Sequence, residues 1–515
     1  MSSSDTSREV PLRVRAEDAE SEIFLIDGSY QLTARGLGSL EGRYKPGLYK
    51  VKLQTGSRIR ERYVQLAPGN EELVGKQEGA TLTHEDGTAV LSFPRLHFAT
   101  AVPLAETSWS RDEHTDAAVI HSQQVHVRRG RGSQLFVFIR TWTPAHLAGE
   151  RPEAPTSFRL ALHTVDGRRL VDLVTEGARD DDLEDPWAAC TVEVDPGVYL
   201  LRVGTEEGFE LDEVVVASPG WQTQLFLCAL QRAERTEGAW TDSMHTSVHL
   251  RRPEHGFDPT SPGLRLTELT RIGLRNRRAV ITPELLMELK DTESRNPMLG
   301  LYGAHLLMMS EEPDLELVRK VVGHLRHLLG RHPDVEALAL ALGEAPATPD
   351  LFGVPPTLLR SWALVVRETA EHPDLVPRGS LAAAIGERLW GEGPWVIWKA
   401  LPPLTHPRHT GSPPDIEALA TRLQAVSEER LMQLRDATAL ERTLIAYLHG
   451  ARPGSNTGPG TGRTAQAMLA PPRPTMGRMV RALGLPAATL ETSLLHLLRK
   501  LEAVESDAAE AAPPA

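Results

Sequence analysis

A pattern that occurs twice in the first half of the chain constrains its fold more than any other feature. Residues 46–56 read PGLYKVKLQTG and residues 196–204 read PGVYLLRVG, so Pro-Gly-x-Tyr recurs at an offset of 150. In both copies Pro-Gly predicts a turn, and the alternating residues after the tyrosine predict a strand with one buried face. Such strands must pair into sheets that cover each other. We therefore predict two related β-sandwich-like units.

The sequence around each copy extends the pattern. Each unit has an Asp-Gly pair between apolar runs, Asp27-Gly28 in the first and Asp166-Gly167 in the second, which predicts a hairpin because the pair tolerates positive φ. Between the copies, AVLSFPRLHFATAVPL, DAAVIHSQQVHV and QLFVFIRTW are further strand candidates. We place the units at 8–105 and 106–235, and the middle strands could belong to either.

These Pro-Gly-x-Tyr strands resemble the small β-sandwich modules of PEGA domains and carboxypeptidase regulatory-like domains. The resemblance covers about 30 residues per copy, and its hallmark is the PG-x-Y turn that leads into an alternating strand. It implies a β-sandwich fold and a binding or spacer role rather than an enzymatic one.

After residue 260 the sequence becomes helical in character. In the segment 313–330, residues Leu315, Val318, Val322, Leu325 and Leu329 recur at helical spacing. Asp is a favourable N-cap, so the Pro-Asp pairs ending at Asp314, Asp334, Asp374 and Asp415 predict helix starts. We predict an α-helical domain over 262–450, either an irregular bundle or a short solenoid.

The remaining C-terminal residues fall into three segments. Residues 451–474 are rich in Gly, Pro and Thr and predict a flexible linker, residues 475–503 predict a helical pair, and residues 504–515 predict a disordered tail. The whole chain is therefore predicted to be a multidomain α+β protein, with two β-sandwich-like units followed by an α-helical region.

The helical half carries a second resemblance. The phrases NPMLGLYGAHLL and SLAAAIGERLWGEGPWVIW are similar to uncharacterised bacterial proteins linked with caspase-like proteases. This likeness implies a bacterial effector or protease as partner, and it assigns no residue roles.

Composition narrows the classes of function. The 515 residues carry a net charge of -13, which disfavours a duplex nucleic acid as partner because phosphate contacts need a local basic excess. The N-terminus lacks an apolar run of signal-peptide length, and no run approaches the ~18 apolar residues of a membrane span. We therefore expect a cytoplasmic protein without a membrane partner. Its two cysteines, Cys190 and Cys228, fit a reducing compartment with both thiols buried, and their pairing stays open.

Three motifs suggest cofactors or metals and fail on spacing. TGPGTGRT resembles a phosphate loop, but Thr457 and Arg463 stand where Gly and Lys are required, so a linker is favoured. The acidic run 180–185 lacks the spacing of a calcium loop and predicts a solvated insertion. His121 and His126 are five residues apart, which on a strand places them on opposite faces and disfavours joint metal binding. No cofactor and no metal are predicted.

Three groups of residues are candidates for interaction. Arg128, Arg129 and Arg131 lie at a predicted hairpin turn and are either solvated or in contact with phosphate or an acidic partner. Trp390, Trp395 and Trp398 are either a buried plug or interface hot spots. Arg478 and Arg481 give residues 476–501 a basic edge, so these helices are either a cap or oligomerisation element or a helix-turn-helix-like DNA reader. These eight residues are the sequence candidates for a binding surface.

No Gly-x-Ser-x-Gly elbow is present, and no motif with catalytic spacing survives. The favoured hypothesis is a non-enzymatic adaptor, scaffold or regulatory protein that binds one or more protein partners. One alternative is a transcriptional regulator that binds DNA through residues 476–501. The other is a cysteine hydrolase built on Cys190 or Cys228 with a spatially close histidine.

Overall fold

The structure is a computed structural model, and it describes most of the chain. The described residues are 9–18, 21–55, 58–75, 79–94, 100–104, 112–142, 159–181, 186–204, 210–230, 240–241, 246–345, 351–386, 388–390, 393–400, 416–432, 434, 437–449 and 475–510.

The strands between Val10 and Phe93 form one sheet of nine. The strands are β1 Val10–Ala16, β2 Glu22–Asp27, β3 Leu32–Leu37, β4 Ser39–Tyr44, β5 Gly47–Thr55, β6 Arg58–Leu66, β7 Glu72–Val74, β8 Thr81–Glu85 and β9 Thr88–Phe93. Their order in the sheet is β7-β6-β5-β2-β3-β4-β1-β9-β8. Leu12 of β1 and Val51 of β5 lie in one core although four pairings separate their strands. Because neighbouring strands are ~4.8 Å apart, the sheet must fold over on itself like a sandwich.

The next β segment follows helix α1, Asp112–Gln123, and builds two sheets. The second sheet has the strands β10 Val127–Arg128, β11 Ser133–Trp142, β14 Ala178–Asp180, β15 Trp187–Val194, β18 Gln222–Leu230, β19 Trp240–Thr241 and β20 Ser247–Arg251. The third has β12 Arg159–Thr164, β13 Arg169–Asp172, β16 Gly197–Gly204, β17 Glu210–Ala217 and β21 Ile397–Lys399.

The second and third sheets pack face to face. Val137 and Val192 of the second sheet share a core with Leu162 and Val203 of the third. The opposite face of the second sheet, with Phe138, is covered by α1 and α2. Since both faces of each strand are then buried, β15 and β18 consist of nearly continuous buried residues rather than alternating ones.

The third sheet is completed by a strand from the helical half. β21 pairs antiparallel with β17, with Asp212 opposite Trp398 and Glu213 opposite Ile397. Val214 on the outer face of β17 packs into the core formed by the C-terminal helices. The helical region therefore shares both backbone pairing and a core with this sandwich.

The two Pro-Gly-x-Tyr strands occupy equivalent places in their sheets. β5 lies in the order β3-β2-β5-β6, and β16 lies in the order β13-β12-β16-β17, with antiparallel pairing throughout. Tyr49 Oη donates to the carbonyl oxygen of Lys45 at 3.0 Å, and Tyr199 Oη donates to that of Asp195 at 2.8 Å. Each tyrosine thus ties its strand to the turn four residues upstream.

The Asp-Gly pairs do form hairpins, but they are not at equivalent positions. Asp27 lies opposite Tyr49, whereas Thr164 lies opposite Tyr199, so the second Asp-Gly pair stands two residues further into its loop. Gly167 has a φ of 87°, and the matching position in the first loop is Tyr30, with a φ of 62°. Gly28 is not at positive φ. The two predicted hairpins therefore form, with the Asp-Gly pair at a different place in each loop.

Residues 112–123 form a helix, so the strand predicted from DAAVIHSQQVHV is wrong over that range. His114, Ala117, Ala118 and Ser122 are buried, and their spacing is that of one helix face. The β-branched pair Val119-Ile120 suggested a strand, but Ile120 is exposed.

The second half is helical, as predicted, and the fold class is confirmed. In the described part its helices are α2 Pro262–Arg275, α3 Pro283–Lys290, α4 Pro297–Met309, α5 Leu315–Leu329, α6 Pro333–Ala341, α7 Leu359–Glu368, α8 Leu381–Ala384, α9 Ile416–Gln424, α10 Glu428–Met432, α11 Ala439–Leu448, α12 Met476–Leu483 and α13 Ala487–Glu510. Two 3-10 turns lie at Leu351–Gly353 and Pro373–Leu375. None of the helices in these ranges has the length and apolarity of a membrane span.

Helix α4 is apolar on all sides and lies at the centre of the first helical cluster. It packs against α2, α3, α5 and α6, which is the arrangement of a bundle rather than of a solenoid whose repeats contact only their neighbours.

One Pro-Asp pair, at Asp314, provides the N-cap of its helix, and another, at Asp334, does not. Asp314 caps α5 by accepting the amide of Leu317, as predicted. At α6 the cap is His332, and the buried Asp334 instead accepts hydrogen bonds from the amides of Thr357 and Leu358. Asp334 therefore holds the backbone just before α7 in place and does not cap its own helix.

The C-terminal pair extends further than predicted. α13 continues to Glu510, so the tail predicted to be disordered from residue 504 begins inside a helix, because the segment EAVESDAAE has good helix formers and no breaker. Residues 511–515 and the predicted linker 451–474 lie outside the described residues.

Candidate functional site

An open groove lies on the helical domain between α3 and α5. Its volume is about 710 Å³, within the range of sites that bind ligands or peptide side chains. The end of α3 with the following loop forms one wall, the first turns of α5 form the other, and the start of α4 forms the floor. The apolar lining residues are Leu289, Leu299, Leu317, Val321 and Leu325.

Gly300 near the start of α4 allows this helix to pack closely against α5. Gly300 lies on the floor, and a Cβ atom there would come within 3.1 Å of the Leu325 side chain. Asn296 caps α4 by accepting the amide of Leu299, and His324 contacts the carbonyl oxygen of Ser294 at 2.8 Å, which fixes the loop to α5. The walls are therefore held in place by the fold.

The rim of the groove is acidic. The segments 283–295 and 311–320 together carry eight carboxylates and four basic side chains, a net charge of -4. Among the described residues, Glu316 is the only one of the eight in an ion pair, with Lys320 at 2.8 Å. Two apolar side chains are exposed beside lining residues, Met287 at 64% and Leu315 at 48%. The rim thus presents uncompensated negative charge next to apolar surface.

A second polar cluster lies deep between the second sheet and α2. The carboxylate of Glu268 accepts hydrogen bonds from Ser247 Oγ at 2.8 Å and Arg271 Nη2 at 3.0 Å, contacts His249 Nε2 at 2.9 Å, and also accepts from Thr100. Burial alone would raise the pKa of Glu268, but the Arg271 charge and the His249 contact hold that pKa well below its usual range.

This Ser-His-Glu combination has the residue types of a hydrolase, but its position does not suit catalysis. Ser247, Glu268 and Arg271 have no solvent exposure, and His249 is also buried. A substrate cannot reach a site without an opening, and the guanidinium of Arg271 already satisfies the carboxylate. The cluster therefore ties the second sheet to α2.

The two cysteines lie on opposite faces of the second sheet. Cys190 on β15 faces the third sheet, and Cys228 on β18 faces the helices α1 and α2, so they cannot form a disulfide with each other. Burial raises the pKa of the Cys190 thiol to about 12. A catalytic cysteine needs a lowered pKa, so the environment of Cys190 is the opposite of an activated one.

His121 and His126 are in contact, contrary to the prediction that they face opposite sides of a strand. His121 lies in the last turn of α1 and His126 follows the helix, so the strand argument does not apply. His121 Nδ1 and His126 Nε2 are 3.3 Å apart, and His126 Nδ1 accepts the amide of Thr191 at 3.0 Å. Burial lowers the pKa of both imidazoles. Within the described ranges no group of three or more potential metal ligands occurs.

The three candidate arginines follow α1: Arg128 ends β10, and Arg129 and Arg131 lie on the loop from β10 to β11, which is not a hairpin. β10 and β11 flank β15 on either side instead of pairing with each other. Arg128 pairs with Glu193 at 3.2 Å, Arg129 pairs with Glu176 at 3.0 Å, and the amide of Arg131 binds Asp195. Two of the three guanidiniums thus contact the carboxylates of this chain.

The tryptophans divide into two environments. Trp395 and Trp398 are fully buried, and Trp395 Nε1 donates to the carbonyl oxygen of Thr246 at 2.9 Å. Trp390 is partly buried, with the Lys399 ammonium 4.6 Å from its ring centre. Since Trp398 belongs to β21, this segment contributes a strand to the third sheet.

The C-terminal helices belong to the helical core. Leu490, Leu494 and Leu497 of α13 are buried with residues of α7 to α11. Arg478 and Arg481 are exposed on α12, before a left-handed Gly484 that ends this helix. The leucine face of α13 is therefore buried against other helices of the same chain.

Other sequence candidates lie mainly outside the described residues. These are the phosphate-loop-like TGPGTGRT and, in the acidic run, residues 182–185. The groove was not found from the sequence. Its only signal is the pair of acidic segments around α3 and α5, because the cavity itself depends on how three helices pack.

Comparisons with known proteins leave the chain without a family. No family model and no curated protein matches it. Among solved structures, it is similar to a C-terminal fragment of the pilus adhesin SpaC from Lactobacillus rhamnosus GG, with 7% identity and a TM-score of 0.16 over 49% of this chain and 89% of that one. It is also similar to a candidate cell adhesion protein from Bacteroides eggerthii, with 9% identity and a TM-score of 0.12 over 48% of this chain and 95% of that one. Likenesses at these TM-scores carry no argument about function.

Proposed function

We propose that this chain is a non-enzymatic interaction protein that binds a segment of a partner protein in the groove between α3 and α5. The observation that carries the proposal is the groove itself, with an apolar floor, a charged rim and a volume of about 710 Å³. Docking into a preformed apolar groove is a recurrent way to recognise peptide segments.

The dimensions of the groove suit such a segment. Its α5 wall extends from Asp314 to Leu325, which at 1.5 Å per residue is roughly 16 Å. That length matches about three turns of a helix or about five residues of extended chain.

The environments of the candidate nucleophiles support a non-enzymatic role. The pKa of the Cys190 thiol is raised to about 12, and Ser247 is enclosed with a carboxylate that Arg271 neutralises. A nucleophile needs an activating base and access to substrate.

A selection experiment tests the proposal. The full chain is immobilised and a random peptide library is selected on it, and the binding of each enriched peptide is then measured after blocking the groove. Thr292→Cys introduces an exposed thiol on the groove wall, while the two native cysteines are buried, so a bulky maleimide can be attached there selectively. Ala482→Cys on the exposed surface of α12 gives the matched control.

We expect the label at position 292 to abolish binding of the enriched peptides and the label at position 482 to leave binding unchanged. A selection that enriches no peptide, or peptides whose binding is insensitive to the label at position 292, would refute the proposal.

We further propose, from the resemblance of the helical half alone, that the partner belongs to a bacterial effector or caspase-like protease system, in a reducing cytoplasmic compartment. The positions of the two cysteines on opposite faces of one sheet fit such a compartment. Purified proteases of that class provide the test, since one should bind the wild-type chain and lose binding when the groove is labelled at position 292.

The duplicated Pro-Gly-x-Tyr units are proposed to act as PEGA-like spacer modules. Their equal strand order and the matching contacts of Tyr49 and Tyr199 support this origin. The first unit is linked to the helical domain through Arg265–Asp18 and Arg278–Glu22 ion pairs, at 2.6 and 2.5 Å. A spacer that is fixed in this way would set the distance between the groove and whatever the first sheet contacts.

A further inference from the structure

We infer that the occupant of the groove is a basic amphipathic segment of a partner protein, with apolar side chains toward the floor and Lys or Arg side chains toward the rim. This inference rests on the proposed function and names the chemistry of the partner. It is carried by the charge of the rim together with the position of two carboxylates, Glu288 and Asp291.

The two carboxylates occupy positions that the helix itself does not favour. Glu288 lies in the last turn of α3, and Asp291 is the C-cap residue of that helix. The C-terminal end of a helix carries partial negative charge, so carboxylates there are repelled while basic side chains are stabilised. Negative charge at these positions thus acts against the local stability of α3.

Internal contacts do not neutralise this charge. No basic side chain of the described residues forms an ion pair with Glu288 or Asp291. Glu288 accepts only a hydroxyl contact from Ser294 at 3.3 Å, and Asp291 accepts the amide of Glu293 at 2.9 Å. On the opposite wall, Lys320 is already held by Glu316, and Arg319 lies 4.0 Å from Glu344. Lys290, between the two carboxylates, also lines the groove, so the lining carries four carboxylates and two ammonium groups and keeps a net charge of -2.

A positively charged occupant would complement that net negative charge. Charge complementarity across an interface increases the association rate and excludes partners of the wrong sign. The apolar lining gives the second element of recognition, because Leu289, Leu299 and Leu317 line the walls and the floor of the groove. The neighbouring Met287, with its flexible side chain, can adapt to the apolar face of the occupant.

The test uses two synthetic probe peptides of twelve residues. Both carry Leu at positions 1, 4, 5, 8 and 12, and the remaining positions are Lys in one peptide and Glu in the other. Binding to the full chain is measured by fluorescence anisotropy at two salt concentrations. The groove variant is Glu288→Gln with Asp291→Asn, which removes two charges and retains hydrogen-bonding oxygens. The matched control is Glu428→Gln with Glu429→Gln on the exposed first turn of α10.

We expect the Lys peptide to bind and the Glu peptide not to bind. The groove variant should weaken binding of the Lys peptide by about tenfold, since two exposed charge contacts are each worth a factor of a few. The control variant should bind the Lys peptide as the wild type does, and higher salt should reduce the difference between wild type and groove variant.

Two outcomes would overturn the inference. One is equal weakening by the control variant, which would show that net charge rather than the groove attracts the peptide. The other is binding of the Glu peptide as tight as that of the Lys peptide. If library peptides without positive charge are displaced by the label at position 292, only this inference fails. If that label displaces no peptide, the proposed function fails as well.

Discussion

Glu213 makes the stability of this protein depend on pH in a way that one substitution should remove. The residue lies on β17, opposite Ile397 of β21, and is almost fully buried where the sandwich meets the helical half. Among the described residues its Oε1 atom has no hydrogen-bond partner. Burial raises the pKa of this carboxyl to about 8, from an ordinary value of about 4.5. The folded protein therefore holds Glu213 protonated at neutral pH.

The direction of the effect follows from proton linkage. Between the unfolded pKa and the folded pKa, the folded state binds a proton that the unfolded state has released. The free energy of unfolding must therefore fall as pH rises through this window, and it levels off above the folded pKa. With pKa values near 4.5 and 8, the loss between pH 6 and pH 9 is at most about 3 kcal/mol.

Glu213→Gln replaces the protonated carboxyl with a neutral group of the same shape. We expect the variant to gain stability relative to the wild type as pH rises, with the difference increasing by about 3 kcal/mol from pH 6 to pH 9. Urea unfolding followed by circular dichroism at several pH values measures this difference. Other groups with shifted pKa values, such as His305 and Cys190, occur in both proteins and cancel.

Glu429→Gln on the exposed surface of α10 is the control, and its difference from wild type should not change with pH. A wild-type-to-Glu213→Gln difference that stays constant from pH 6 to pH 9 would show that Glu213 is ionised in the folded protein. The assignment of a neutral, enclosed carboxyl would then be wrong.

Two further predictions concern contacts that hold the sheets. Tyr49→Phe and Tyr199→Phe each remove one hydroxyl-to-carbonyl hydrogen bond. Each should lower the free energy of unfolding by about 1 kcal/mol. An unchanged urea midpoint in both variants would contradict a stabilising role for the hydroxyl. Glu268→Gln leaves Arg271 buried without its carboxylate and should lower the free energy of unfolding by about 3–5 kcal/mol. The control Glu254→Gln, on the surface, should leave stability unchanged. A small loss of stability for Glu268→Gln in thermal unfolding would mean that the guanidinium finds another partner.

The sequence predicted the elements that depend on local patterns. Pro-Gly-x-Tyr correctly predicted β5 and β16, because a turn followed by period-two alternation has few other solutions. Asp314 correctly predicted the start of α5 for the same kind of local reason. The stretch 116–123 was mispredicted because Val119 and Ile120 favour strands, while the helical spacing of its small buried residues is a weaker signal.

Features that depend on distant contacts could not be predicted. β21 has three residues and pairs with a strand almost 190 positions earlier, and no periodicity in the sequence indicates that pairing. The groove is similar in this respect, because its acidic rim is visible in the sequence, whereas its shape depends on the packing of α3, α4 and α5. The sequence did not indicate that Glu213 is buried, since glutamate is usually exposed.

The pairing of β21 with β17 has a consequence for how the molecule can be divided. A fragment that ends before the helical half would leave β17 with an open edge, and Leu200, Val214 and Val216 would lose the helices that cover them. Exposed edges and apolar sheet faces promote self-association. The amino-terminal portion should therefore be insoluble when produced alone, and the boundary between strands and helices along the sequence is not a place where this chain can be cut.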